Sequence, residues 1–154
     1  MKAINIVCFL SFFISQLFIN CQISEDGFQV FTIGRLVNEN NEVSLTAEEG
    51  QPIIIKIRSN PTTGFQIYLK NTVSDLGESG IVKPINLNEK NGSNEYVVDS
   101  NKNSIAGVGG YSYFKFLTLG AGEEKLVFIN KRSWEIKSAK ELMINLLIVK
   151  PKKN

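Results

Sequence analysis

The chain has no histidine in its 154 residues and only two cysteines, Cys8 and Cys21. Without imidazole, Ser-His-Asp and Cys-His catalysis and histidine-ligated zinc are excluded together. Both thiols fall within the first 21 residues, so the remainder can form neither a disulfide nor a thiolate nucleophile. An enzyme would be left with carboxylate or lysine chemistry, which needs paired acids from adjacent loops. The turns around Pro61 and Trp134 offer none before Glu135. No metal or other cofactor is therefore expected. Tryptophan is equally scarce, with Trp134 standing alone, and there are four prolines. Long amphipathic patterns are missing too: Ser138 to Met143 allows one helical turn at most. No internal repeat and no low-complexity linker divides the chain.

What the N-terminus does have is a short basic start, Met1-Lys2, and an apolar run from Ala3 to Ile19. No basic stop-transfer cluster follows; the next charges are Glu25 and Asp26. This is the pattern of a secretory signal peptide over residues 1–21, cleaved near Cys21/Gln22, with an N-terminal membrane anchor as the rival reading. Residues 22–154 are then one domain, long enough to bury a core without disulfides. Lys2 leaves with the signal, so 17 basic and 15 acidic residues come nearly into balance. Near-neutral charge argues against nucleic acid, or a membrane in the mature form, as the partner. The expected location is the secretory pathway, ending in endolysosomal or phagosomal vesicles or outside the cell. Asn91-Gly92-Ser93 is a glycosylation sequon in a stretch that equally suits a hairpin turn.

Apolar residues recur with period two almost throughout, which is the strand signal. Ile53, Ile55 and Ile57 alternate with Ile54, Lys56 and Arg58; Phe65, Ile67 and Leu69 alternate with Gln66, Tyr68 and Lys70. In 111–118, Phe114 and Phe116 share one face and Tyr111 and Tyr113 the other. Further strands are predicted over 81–98 (broken, with Pro84 suited only to an edge), 123–129 and 141–149, the last apolar enough to be central. Gly27 to Val37 supplies an initial edge strand. Seven to nine short strands with turns between them predict an all-β domain, an immunoglobulin-like antiparallel β-sandwich, with a closed lipocalin-like barrel as the structural rival. A monomer is expected.

Three connections stand out. Asn60-Pro61-Thr62-Thr63-Gly64-Phe65 combines a fixed φ at Pro61, an extended residue before it and a glycine free to take positive φ, giving a stiff turn tipped by Thr62 and Thr63. Gly107-Val108-Gly109-Gly110 allows close backbone approach, without the spacing or following helix of a dinucleotide fingerprint. Arg132-Ser133-Trp134 places the one tryptophan in a turn, as an interface anchor or as a lid folded onto the core. If successive strands alternate in direction, the 60–64, 107–110 and 132–134 connections lie at the same end. The ordinary alternative for the first is a hairpin turn, and for the second a flexible glycine loop.

The ordered trio N-P-T-T-G-[FY], G-x-G-G and R-x-W resembles the chagasin family, inhibitors of papain-like cysteine peptidases. The resemblance runs from about Val43 to Val149. One position departs: relatives typically carry proline between the arginine and tryptophan, where this chain has Ser133. The resemblance implies a reversible, competitive, non-covalent inhibitor with papain-like cysteine peptidases as partners. By that likeness Thr62 and Thr63 approach the catalytic Cys-His pair, the glycine loop lies along the cleft by backbone contacts, and Trp134 stacks on aromatic surface with Arg132 supporting it. The competing functional class is a secreted adhesion or carbohydrate-binding module, which would show exposed aromatics on a sheet face.

Overall fold

A computed structural model describes residues 19–24, 26–34, 40–71, 80–85, 95–98, 109–132, 134 and 140–152. Their strands, in chain order, are β1 (Ile19–Ile23), β2 (Gln29–Ile33), β3 (Asn40–Glu48), β4 (Ile53–Ser59), β5 (Phe65–Leu69), β6 (Val82–Pro84), β7 (Glu95–Val98), β8 (Gly110–Thr118), β9 (Gly122–Arg132) and β10 (Lys140–Val149). One sheet has the order β1-β2-β4-β8-β6, with β7 also paired to β8, and the other β3-β10-β9-β5. This is the expected immunoglobulin-like sandwich.

The alternation read from the sequence sorts side chains to the two faces as expected. Ile53, Ile55 and Ile57 of β4 and Phe114 and Phe116 of β8 are fully buried, as are Leu126 and Phe128 of β9 and Leu142 and Ile144 of β10. The two layers meet where Phe114 sits edge-on to Phe128, ring centroids 4.7 Å apart. Each such buried side chain stabilises the fold by about 1.5–3 kcal/mol relative to exposure. β10 is central in its sheet, and Pro84 ends an edge strand, β6, where its missing N–H disturbs no ladder.

Several details differ from the pattern read in sequence. Each sheet is mixed: β2 runs parallel to β4, and β10 parallel to β3. The first sheet's edge is β1, so β2 lies one strand inside it. β1 also crosses the expected cleavage point, with Cys21 half-buried against the core and Ile19 and Ile23 exposed. Lys140 to Met143 continue β10 and form no helical turn. The residues of the predicted signal before Ile19, and the Asn91 sequon, lie outside the described residues.

Candidate functional site

The turn after β4 is built as its residue types require. Asn60 is extended (φ −141°, ψ 84°), Pro61–Thr63 form a single 3-10 turn, and Gly64 closes it in the left-handed region (φ 82°, ψ −7°). The Gly64 N–H donates to the Pro61 carbonyl at 2.8 Å and the Thr63 N–H to the Asn60 carbonyl at 3.2 Å. Both tip hydroxyls turn back onto Asn60: Thr63 Oγ1 donates to its carbonyl at 2.7 Å and Thr62 Oγ1 to its side-chain Oδ1. Thr62 and Thr63 are exposed, while Asn60, Pro61, Gly64 and Phe65 are half-buried. The tip is thus a protruding turn held by its own hydrogen bonds.

Two strand registers bring the other motifs to this turn. β4 pairs with β8 so that Ser59 stands opposite Gly110, joining the root of the first loop to the end of the second. Beneath that junction the Ser59 and Ser112 hydroxyls are 2.9 Å apart and buried. β5 pairs with β9 so that Phe65 stands opposite Arg132, joining the first loop to the third. The Arg132 guanidinium lies 4.4 Å from the Phe65 ring centroid and 5.9 Å from that of Trp134, between the two aromatics.

Trp134 is 68% exposed, so it is not a core lid. Its ring edge lies against Gly64: a β-carbon there would stand 2.6 Å from Cη2. Residue 64 is therefore glycine for two reasons, positive φ and the indole beside it. Space at Gly109 is less restricted: a β-carbon would meet Arg58 Nη2, the movable end of a side chain, at 3.3 Å and the Ser59 carbonyl at an ordinary 3.5 Å.

Of the residues singled out in sequence, Asn60 to Phe65, Gly109, Gly110, Arg132 and Trp134 gather at one end of the sandwich. Gly107, Val108 and Ser133 lie outside the described residues. Sequence reasoning missed Arg58, Tyr111, Ser59 and Ser112 at the loop roots. Arg58 Nη1 is 3.5 Å from the Tyr111 hydroxyl and its Cζ 5.6 Å from that ring's centroid. A cation in the last outward position before the proline turn was the available signal.

The chain's residues 46–146 match the model of the chagasin family peptidase inhibitor I42. Amoebiasin-1 of Entamoeba histolytica is 30% identical over 99 residues, covering 64% of this chain and 82% of that protein. A structure of PbICP-C in complex with falcipain-2 superposes with a TM-score of 0.53 at 14% identity, over 78% of this chain and 98% of that one. The solution structure of amebosin gives a TM-score of 0.49 at 22% identity, over 75% and 97%. With well over half of its length matched by the family model, the chain belongs to the chagasin family of peptidase inhibitors.

Proposed function

We propose that this protein inhibits papain-like cysteine peptidases reversibly and without covalent chemistry, by seating the loops at 60–64, 107–110 and 132–134 in the active-site cleft. The observation that carries the reading is the contact between Gly64 and Trp134, which joins the first and third loops in the free protein. A wedge assembled before binding loses little conformational freedom on docking, so more of the contact energy appears as affinity. The 3-10 turn also keeps Thr62 and Thr63 out of the extended conformation in which a peptide bond could lie along a cleft for cleavage. An interface of about 1,600 Å² formed by such loops supports nanomolar binding. PbICP-C, in complex with falcipain-2, is a protein of like fold bound to a peptidase.

We further propose that the protein enters the secretory pathway, with cleavage near Cys21/Gln22, and acts in endolysosomal or phagosomal vesicles or outside the cell. Cleavage there removes Ile19 to Cys21 from the sheet's outermost strand, and none of the fully buried core residues goes with them. The carbohydrate-binding alternative loses ground at Tyr111 and Tyr113. Lys56 Nζ sits 5.1 Å from both ring centroids, covering surface a sugar would need.

The test is steady-state inhibition of papain and several cathepsin-type peptidases, with serine and metallopeptidases as controls. Competitive inhibition confined to the papain-like enzymes supports the proposal; no inhibition at micromolar protein refutes it.

A further inference from the structure

The two sheets differ in charge. Within the strands of the six-stranded sheet stand four cations, Lys56, Arg58, Lys83 and Lys115, against a single acid, Glu95. In the four-stranded sheet acids outnumber cations by five to four. All four cations alternate with buried residues, so they project from the outer face: Lys56 and Arg58 between Ile55, Ile57 and Ser59, Lys115 between Phe114 and Phe116, and Lys83 beside Val82. This asymmetry is hidden in a chain whose formal net charge is only +2.

The charge is also placed. Lys56 bridges the rings of Tyr111 and Tyr113, and Arg58 lies over Tyr111 with Nη2 packed against Gly109. The rings attract the ammonium and guanidinium groups and bias them toward these positions. Lys56 and Arg58 therefore carry positive charge up to the root of the 107–110 loop, with Glu95 of β7, opposite Tyr113, the one acid in register beside them, and a peptidase engaged by that loop faces their near end. Farther back, Lys83 and Lys115 add to the same field without reaching the contact.

We infer that this face is an electrostatic flank of the inhibitor, which speeds association with papain-like peptidases that are acidic beside the cleft and so selects among them. The inference rests on the inhibitory reading above. It fits a peptidase surface because Lys56 and Arg58 carry the charge up to the loop end. Oriented charge raises encounter rates by ten- to a thousandfold at low ionic strength, and the effect fades as salt shortens the Debye length.

The experiment measures association and dissociation rate constants at low and physiological ionic strength, using two papain-like peptidases, one with an acidic and one with a basic isoelectric point. The inhibitors are the unmodified protein, K56Q/R58Q, K83Q/K115Q, and K125Q on the other sheet, each checked for unchanged thermal stability. Against the acidic peptidase at low salt, K56Q/R58Q is expected to associate about tenfold more slowly, and K83Q/K115Q about threefold more slowly with unchanged dissociation. K125Q should match the unmodified protein, and the basic peptidase should show no such loss. Association of both double variants within twofold of the unmodified protein overturns the inference while leaving the inhibitory reading intact. So does an equal loss in K125Q. Absence of inhibition by the unmodified protein overturns both.

Discussion

The indole of Trp134 occupies the space in which a side chain on Gly64 would begin, with Cη2 only 2.6 Å from the position of a β-carbon there. Two loops seventy residues apart in sequence are thereby parts of one surface. The positive φ of Gly64 (82°) adds a second constraint at the same atom.

Gly64→Ala should therefore act on both loops at once. An L-residue in the left-handed region costs about 1–2 kcal/mol, and the methyl must also displace the ring. Inhibition should weaken about tenfold or more while the sandwich stays folded. Trp134 is the chain's one tryptophan, so a shift in its emission reports the displacement directly; unchanged emission together with unchanged inhibition would contradict the contact.

Trp134→Ala should weaken binding by about 2 kcal/mol or more, the typical loss for a buried aromatic anchor at an interface. Because the ring is largely solvent-exposed in the free protein, the thermal midpoint should hardly move. A large loss of stability would instead make Trp134 part of the fold.

Ser133, outside the described residues, stands where the resemblance to the family leads one to expect proline. Ser133→Pro should raise affinity by up to about 1 kcal/mol by restricting the unbound loop. Several-fold weaker inhibition from an intact protein would mean that this third loop has a geometry of its own.

The Ser59–Ser112 pair should show its value in a double-mutant cycle. Either single alanine strands one buried hydroxyl and should cost about 1–3 kcal/mol, whereas replacing both should cost clearly less than the sum of the singles. Strict additivity in denaturant unfolding would mean that the hydrogen bond is not made.

Much of this was legible in the sequence because side-chain alternation along a strand reports directly which residues face the core. Alternation puts Ile53, Ile55 and Ile57 on one face of their strand and Phe114 and Phe116 on one face of theirs, and those are the faces that are buried. The common end of the loops followed from strand direction, and the Ser59–Gly110 and Phe65–Arg132 pairings realise it. Alternation says nothing about which strand lies beside which. The parallel pairings of β2 with β4 and β3 with β10 join segments whose adjacency is set by the closing of the whole sandwich. The Gly64–Trp134 contact and the Arg58–Tyr111 stack were invisible for the same reason. They depend on register between strands, and short motifs carry only local geometry.

In the proposed mode of action, the loop end of this sandwich closes the cleft of a papain-like peptidase without being cut. Progress curves for papain hydrolysing a fluorogenic peptide, with increasing amounts of the purified protein and mass analysis of the recovered inhibitor, test it most directly. Competitive, reversible inhibition at nanomolar concentration is expected, with the chain from Asn60 to Phe65 recovered intact. Unchanged hydrolysis at micromolar protein, or recovery of a chain cleaved between Asn60 and Phe65, would contradict it.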